Sequence, residues 1–574
     1  HMVAGSVVEM DGQVQLEASI FLQGRPTEAI QRAVVRGPVD QVFSLAEELA
    51  DRLLPGARDP TTTPIPGTRL TGSLPALRAF LEGEQALELG NSLAARSSFE
   101  RAVDYDSSFA LAHLRLAIVR DWLGGGSVEA ALTDAMRTAD RLSSGARKLL
   151  DAFLARYTGD IPRAMTLAEQ LVEERPEMVQ AWFELGEIRF HYGATLGYTV
   201  KEQTAPFRRV IDLDPRFAGA LLHLARVDVR DADSVGFNAL WALTEPLQFL
   251  PSEALELEMF RAYRSGSLSA LDSIMSLLDQ RNVQEQVFAL RHLATASLDP
   301  DIVTRYGIQL GDGSIQGQYR DAHLLSAMLR AAHGQVRAGL FQLEEAPDHP
   351  EIHGMRAVLS TLLCLPSPDS DSGGSSAPLP LGFSRADLAS PLDAHDPNHA
   401  FLLGVLAARS GDLDAARTLA SQLRRVTGLA PRAAVLAEHN GRVLEAHLAW
   451  VQSDPAGALV ILGHADTQPH GERPSPARGY VETHERFLRG ESLLALGRYR
   501  EALQWFGGFP EPGASDLHYL GIATLRQAQI HDALGERTEA TASYERFLEL
   551  WPDPDPELLP LVERARDALR RLRD

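Results

Sequence analysis

The sequence predicts an all-α superhelix of roughly a dozen stacked helical hairpins, with a small partial α/β module at the N-terminus. Two observations indicate this fold class. After position 76, small and aromatic residues recur about every 34 residues, at the spacing with which paired helices meet. Before position 54, apolar and polar residues alternate, which is typical of half-buried strands.

The N-terminal module is predicted to contain three strands and one helix. Val3–Met10 and Gln13–Ile20 form the expected hairpin, closed at Asp11-Gly12, and Ala29–Val35 is the third strand. Apolar residues at spacings of 3 and 4 then predict a helix from Val39 onward. Because such a small sheet leaves an open edge, we expect more sheet before residue 3 in the natural protein.

Changes in composition divide the chain into five segments. A Pro- and Thr-rich stretch is predicted to be a linker, and a Pro-, Ser- and Gly-rich stretch a loop between two repeat blocks. The segments are the α/β module at 1–54, the linker at 55–75, the first repeat block at 76–365, the loop at 366–396, and the second block with a C-terminal capping helix at 397–574.

The register of the first hairpin, counted from Ala76, is the clearest in the chain. Gly83 and Ala95 let two helices approach closely, Gly90 makes the turn, and Phe99 fills the gap toward the next pair. This pattern resembles the tetratricopeptide repeat. The resemblance implies neighbouring repeats, because one pair of helices cannot bury its own apolar face.

Further repeats follow with variations. The fourth carries about five extra residues around Gly193–Val200, where a loop on one face is expected. A shorter pair in the second block contains Gly441, Ala446 and Trp450. The last repeat has Phe547 where a small residue is usual. Other repeats are predicted at 110–142, 145–176, 318–345 with a turn at Gly334, 399–429, 490–506 and 517–552, and weaker ones at 217–251, 252–280 and 282–311. A capping helix is predicted at 558–572, with a solvated arginine face and an apolar face of Leu559, Val562, Ala565, Leu569 and Leu572.

Charge and cysteine usage exclude several classes of function. The chain has 77 acidic against 55 basic residues and a net charge of −22, which argues against nucleic-acid binding. Its one cysteine, Cys364, excludes internal disulfides and Cys-based zinc sites, and its leucine-rich surroundings predict a buried apolar role. No apolar run approaches the roughly 20 residues that a membrane helix needs.

Several stretches resemble the C-terminal half of large bacterial Ser/Thr protein kinase receptors, in which a TolB-N or FlgO-like domain precedes a tetratricopeptide array. They are GSVV at 5–8, GPVD at 37–40, SLPALRAFLEG at 73–83 and YERFLELW at 544–551. The resemblance implies an upstream kinase domain and membrane helix, with this region as the extracytoplasmic sensing or docking part. No kinase motif occurs here, so no catalytic residue is assigned.

Motifs for other chemistry are absent or weak. Neither lysine follows a glycine, so there is no phosphate-binding P-loop, and the Gly311–Gly317 stretch lacks dinucleotide spacing. The pairs His349/His353 and His395/His399 have the spacing of metal ligands on a helix, but adjoining prolines favour surface loops. The same holds for the histidine-bearing loop with His464, Asp466 and His470, and for His484. The sequence therefore predicts no metal and no cofactor.

The remaining candidate site is the concave wall, which the first helix of each hairpin builds. Aromatic groups and carboxylates there could bind an extended or helical peptide with basic side chains, although each residue could instead pack between repeats. The predicted binding residues are Phe80, Glu84, Leu114, Trp122, Phe183, Glu187, Phe190 and His191.

The sequence thus favours a non-catalytic scaffold that binds a protein or peptide partner in bacterial signalling. One alternative is a small-ligand sensor, with the ligand in the groove or at the insertion near Gly193, controlling an upstream effector. Another is a metal-dependent hydrolase that uses the histidine-bearing loops. The identity of the partner, the compartment and the oligomeric state do not follow from the sequence.

Overall fold

The structure is a computed structural model that describes residues 2–22, 25–53, 71–123, 127–230, 234–311, 316–346, 349–363, 397–426, 431–463, 476–510 and 514–573. The predicted loop at 366–396, Cys364 and most of the predicted linker lie outside the described residues. The chain divides into two compact units. The first comprises His1–Leu81, Ser98–Arg120 and Gly125–Arg147, and the second comprises Glu82–Ser97, Asp121–Gly124 and Lys148–Asp574.

The first unit contains an antiparallel sheet in the order β1-β2-β3. Its strands are β1 Met2–Met10, β2 Gln13–Leu22 and β3 Arg25–Pro38. Asp11 and Gly12 have φ values of 53° and 72°, as a two-residue hairpin turn requires, and Met10 pairs with Gln13. The predicted hairpin is confirmed, and the third strand is longer than predicted.

One face of this sheet packs against helix α1, Val42–Leu53. Val14, Leu16 and Val35 form a small core with Leu45 of the helix. This is the face that the alternation of β2 predicts, because successive side chains of a strand point to opposite sides.

The rest of the described chain is helical. In the first predicted block the helices are α2 Leu74–Glu88, α3 Ser92–Tyr105, α4 Ala110–Trp122, α5 Val128–Arg137, α6 Ser144–Thr158, α7 Ile161–Glu174, α8 Val179–Tyr192, α9 Val200–Leu213, α10 Ala218–Asp228, α11 Ser234–Thr244, α12 Pro251–Arg264, α13 Leu268–Leu278, α14 Val283–Ser297, α15 Pro300–Gly311, α16 Gln316–Ala332, α17 Val336–Glu344 and α18 Pro350–Leu362. In the second they are α19 Pro397–Arg409, α20 Leu413–Arg425, α21 Pro431–Val451, α22 Pro455–Leu462, α23 Pro476–Ala495, α24 Tyr499–Phe506, α25 Leu520–Ala533, α26 Arg537–Leu550 and α27 Leu559–Arg573.

Glycines with positive φ end the first helix of several hairpins. Gly90 and Gly334, both predicted turns, have φ values of 81° and 74°, in the left-handed region that glycine adopts without steric cost. The predicted succession of helical hairpins is confirmed. Within the described residues, none of the helices combines the length and apolar character that crossing a bilayer requires.

The short pair in the second block has helices of unequal length. Gly441, Ala446 and Trp450 all lie on the long helix α21, and the much shorter α22 completes the hairpin. A Cβ atom on Gly441 would come within 2.5 Å of Arg424 Cγ. Gly441 therefore allows close approach of α20 and α21.

The end of the second block packs directly on the first. The Trp551 indole N–H donates to the Ala332 carbonyl at 2.8 Å, and the Asp555 N–H donates to the Gly334 carbonyl at 2.8 Å. Phe547 is fully buried, with its ring 4.9 Å from that of Trp551. The large residue that departs from the repeat pattern thus supports the tryptophan that joins the two blocks.

The insertion in the fourth repeat also makes long-range contacts. It forms a 3-10 turn, Gly193–Leu196, and a Cβ atom on Gly197 would approach the Trp505 ring to 3.2 Å. The Val200 N–H donates to the Gly507 carbonyl at 3.0 Å. The insertion therefore packs against the second block, where the sequence predicted a loop on one face.

The capping helix α27 has the predicted apolar face with one correction. Val562, Ala565 and Leu569 are buried as predicted. Leu559 is 40% exposed, and Leu561 is buried in its place. Leu572, at the other end of the predicted face, is only partly buried.

Candidate functional site

Charged side chains on successive first helices pair with one another in the second unit. A first helix is the leading member of a hairpin, and those concerned are α4, α6, α8, α10, α12 and α14. We call the paired residues the first-helix ladder: Asp121, Arg156, Glu184, Glu187, His223, Arg226, Glu256 and His292.

Arg156 on α6 connects α4 to α8. Its Nε donates to Glu184 Oε1 at 2.7 Å, and both terminal nitrogens lie 3.2 Å from Asp121 Oδ2. Burial disfavours the charged guanidinium, but the neighbouring carboxylates outweigh that cost and raise the pKa of Arg156. The group is therefore a permanent cation held between two helices.

Arg226 on α10 repeats this arrangement with Glu256 on α12. Its Nε and one terminal nitrogen donate to the two carboxylate oxygens at 2.8 and 3.0 Å, in the bidentate geometry that arginine favours. His292 on α14 places Nδ1 2.5 Å from Glu256 Oε1. Burial alone would raise the pKa of Glu256, but the charges of Arg226 and His292 lower it.

Between these two ion pairs, Glu187 on α8 faces two histidines. Glu187 Oε1 lies 3.3 Å from His223 Nε2, and Glu187 Oε2 lies 3.7 Å from His191 Nε2. Glu187 is 6% exposed and His223 9%, whereas the side chain of His191 is 43% exposed. We call these three residues the open histidine cluster because His191 reaches solvent.

Aromatic rings enclose the buried side of the open histidine cluster. The His223 ring stacks on Phe207 at a centroid distance of 4.6 Å and meets the edge of Phe190 at 4.7 Å. Burial and the charge of Arg226 lower the pKa of His223 to about 3. The imidazole is therefore neutral at physiological pH and held rigidly by its neighbours.

Five of the eight predicted binding residues lie on or beside helix α8. Phe183, Glu187, Phe190 and His191 share helix α8, and Trp122 joins them through an edge contact with Phe183 at 5.2 Å. In the first unit, Phe80 is 5% exposed with its ring 4.9 Å from that of Phe109.

Leu114 has no exposed surface, so it cannot line an open groove. Phe183 and Phe190 are also buried, and Glu84 is half-buried. The carboxylate expected to attract basic side chains, Glu187, is instead turned toward His223. For these buried residues, packing between helices is the role that the geometry supports.

Sequence reasoning missed the partners on neighbouring repeats. His223, Arg226 and Glu256 were not singled out, yet each contributes to the first-helix ladder. The available signal was positional: charged residues recur at equivalent places on apolar first helices, which is costly unless they are paired. Which of them pair depends on the stacking of repeats, and one repeat taken alone does not show it.

A second group of histidines lies on α21 and α23 and in the 3-10 turn Leu517–Tyr519. His447 Nδ1 lies 3.3 Å from His484 Nε2, and His484 Nδ1 lies 2.8 Å from the Tyr519 hydroxyl. His518 packs its ring 4.6 Å from that of Tyr519. All four are at most 4% exposed. We call them the closed histidine cluster.

One pair considered as metal ligands, His349/His353, does not share a helical face as its spacing suggests. His349 precedes α18 and accepts the Glu351 N–H through Nδ1 at 3.2 Å, whereas His353 lies exposed on the helix itself. His395 and the loop with His464 and His470 lie outside the described residues, as does part of Gly311–Gly317. His484 belongs to the closed histidine cluster.

Comparison with family models places a known repeat at both ends of the helical region. A tetratricopeptide repeat model matches residues 80–147 and 152–195, and a second such model matches 523–554. These matched segments contain tetratricopeptide repeats. The matched segments include α8, which carries Glu184, Glu187 and His191. Helices α10, α12 and α14 lie outside the matched segments.

Solved structures that match the chain share little sequence with it. The APC/C hetero-tetramer Cut9-Hcn1 is 12% identical, with a TM-score of 0.30, over 86% of this chain and 84% of that one. Yeast Tom70 is 12% identical, with a TM-score of 0.27, over 87% of this chain and 96% of its own. At these values the similarity carries no functional information. No curated protein matches the chain.

Proposed function

We propose that this chain is a non-catalytic scaffold whose first-helix face binds a protein segment. The observation that carries the proposal is a surface on which charges are paired internally while aromatic groups stay accessible. Phe288 on α14 is 43% exposed, although it lies beside the ladder. Trp122 on α4 is partly exposed at the other end of the same face.

Phe288 has the surroundings of an interface anchor. The Arg226 guanidinium lies over its ring at 5.1 Å, and the His292 ring lies 4.2 Å from it. Both neighbours are fixed by Glu256. An aromatic residue held in one orientation loses little conformational freedom on binding, and aromatic and arginine side chains dominate binding energies at interfaces.

A capture experiment with matched variants tests this assignment. The full chain is immobilised, and proteins retained from an extract of the source organism are identified and quantified for the parent, Phe288→Ala and Phe341→Ala. Phe341 is also an exposed phenylalanine, 63% accessible, but it lies on the second helix α17.

We expect a partner that binds the parent and Phe341→Ala, with about 30-fold weaker binding to Phe288→Ala, corresponding to a loss of about 2 kcal/mol. Equal retention by all three proteins would contradict the first-helix face as the binding surface. Retention of no protein by the parent would contradict the scaffold function.

We further propose that the partner is basic. The net charge of −22 attracts cationic proteins over a range that salt shortens. The association rate with the captured partner should therefore fall steeply between low and physiological ionic strength, as measured by stopped-flow mixing. An association rate independent of salt would contradict a basic partner.

The more specific role that we propose is the docking or sensing part of a bacterial Ser/Thr kinase receptor. Support comes from the sequence resemblance and from a strand-rich module placed before the repeats. Antibodies against this chain should isolate an endogenous polypeptide that also yields kinase-domain peptides in mass spectrometry. Isolation of a 62.6 kDa polypeptide without such peptides would contradict the receptor assignment.

A further inference from the structure

We propose that Glu187, His191 and His223 form a binding site for one divalent transition-metal ion of the zinc class. Among the described residues, these three side chains place one possible ligand atom each within 4.8 Å of one another. The sequence predicted no metal here because His223 lies on a different helix from the other two. The inference is independent of whether the array binds a protein.

The spacing of the ligand atoms suits a tetrahedral ion. Glu187 and His191 are four residues apart on α8 and share one face of the helix. Ligands about 2.1 Å from zinc in tetrahedral geometry are separated by about 3.4 Å. The observed separations from the Glu187 oxygens are 3.3 Å to His223 Nε2 and 3.7 Å to His191 Nε2.

The hydrogen bonding of His223 prepares one nitrogen to bind a cation. His223 Nδ1 lies 2.7 Å from the Gly219 carbonyl oxygen, an obligate acceptor, so Nδ1 carries the proton. In the neutral ring Nε2 then presents a lone pair, which faces the carboxylate oxygen of Glu187. A metal ion between these two atoms converts a repulsive contact into two coordination bonds, and a backbone acceptor on the other nitrogen is the usual support for a ligating histidine.

The surroundings of the site hold the His223 imidazole in place. Stacking on Phe207 fixes the ring plane. The exposed His191 provides the route by which an ion enters from solvent.

Neighbouring cations do not exclude a metal ion. Arg156 and Arg226 both interact electrostatically with the Glu187 carboxylate. Arg156 is also paired with Asp121 and Glu184, and Arg226 with Glu256. Since these carboxylates balance the two guanidinium charges, a divalent ion beside Glu187 does not meet a net positive field.

The ligand set indicates the class of ion. Two imidazoles and one carboxylate suit zinc and neighbouring transition metals, whereas calcium and magnesium prefer oxygen ligands alone. Three protein ligands leave a coordination position for water or for a group from a bound molecule. Bound metal would also link α8 to α10, and so one repeat to the next.

Calorimetric titration of the full chain with zinc chloride after removal of metal by a chelator tests the proposal. We expect one ion per chain, and binding at least tenfold weaker for His191→Ala, since even residues that only support ligands contribute tenfold or more. His191 is exposed, so its replacement should leave the fold intact. His353→Ala is the matched control, because it also removes an exposed helical histidine.

Cobalt(II) gives a second, spectroscopic readout. The parent and His353→Ala should show the strong visible absorption of a low-coordinate cobalt centre, and His191→Ala and Glu187→Gln should lose it. Absence of stoichiometric binding to the parent would overturn the proposal. So would unchanged binding to both site variants, or loss of binding in His353→Ala alone.

Discussion

The open and closed histidine clusters both bring together histidines from different helices, but their other members and their exposure differ. In the open cluster, a buried carboxylate faces two imidazoles, and one of these reaches solvent. In the closed cluster, His484 contacts another histidine and a tyrosine hydroxyl, and none of the members is more than 4% exposed. The difference teaches that accessibility and the neighbouring charge, more than the number of histidines, decide between a structural and a ligand-binding role.

The largest loss of stability is expected when a buried ion pair next to the closed histidine cluster is broken. Arg486 and Asp516 form a buried ion pair at 2.6 Å, with side chains 4% and 0% exposed. Arg486→Ala removes the cation paired with a buried carboxylate and should lower the free energy of unfolding by about 3–5 kcal/mol, measured by urea denaturation.

The matched control is Arg417→Ala, whose partner Asp414 is 96% exposed. Surface pairs of this kind contribute about 0–1 kcal/mol, so little change is expected. Similar losses for the two variants would contradict the distinction between the buried and the surface ion pair.

The response of stability to pH tests the burial of the closed histidine cluster. Burial lowers the pKa of His447 and His484 well below the usual value and that of His518 to about 3. Below about pH 6.5 the unfolded chain binds protons that the folded chain does not, so stability falls as pH decreases. Each such histidine should cost about 1.4 kcal/mol between pH 7.5 and pH 5.5.

Urea denaturation at both pH values would measure this loss in the parent and in His447→Gln. Between the two pH values, His447→Gln should lose less stability than the parent, by the amount expected for one histidine. His353→Gln, which removes an exposed histidine, should lose as much stability as the parent. If His447→Gln lost as much stability as the parent, the protonation of His447 would not be linked to folding.

A smaller effect is expected at the segment that follows the open cluster. The Thr199 hydroxyl accepts the Glu202 N–H, and the Glu202 carboxylate accepts the Thr199 N–H at 2.8 Å, which together form a capping box for α9. Thr199→Ala should lower the free energy of unfolding by about 1 kcal/mol. Thr166→Ala, at an exposed position within α7, should cause no loss, and equal losses would contradict the capping role.

The smallest effect is expected at the open cluster itself. Without metal, His191→Ala should change the free energy of unfolding by less than about 0.5 kcal/mol, because an exposed side chain packs against little. Urea denaturation in the presence of a chelator measures it. A loss above about 1 kcal/mol would mean that His191 is part of the core and that the cluster is not open.

The prediction from sequence was strongest where local pattern determines structure. The Asp11-Gly12 hairpin and the turns at Gly90 and Gly334 follow from backbone conformations that few residues adopt. It was weaker for glycines within helices: Gly441 allows α20 and α21 to approach closely, and no local pattern shows which helix it faces.

The candidate site was predicted only in part for a related reason. Glu187 and His191 were singled out because they share α8, but His223 comes from the next hairpin. The sequence also suggested that Glu187 would face a partner, whereas the structure turns it toward His223. Contacts between repeats depend on small rotations of each hairpin, which accumulate along the array.

By itself, the sequence determined the helical hairpins, the N-terminal sheet and the acidic character of this protein, because periodicity, turn residues and net charge are local or additive properties. Only the tertiary structure decided which charges pair, and that Trp551 contacts Ala332, 219 positions earlier in the chain. It also decided that one histidine cluster is open and the other closed. These features depend on desolvation and on distances between segments remote in the chain, which no local pattern encodes.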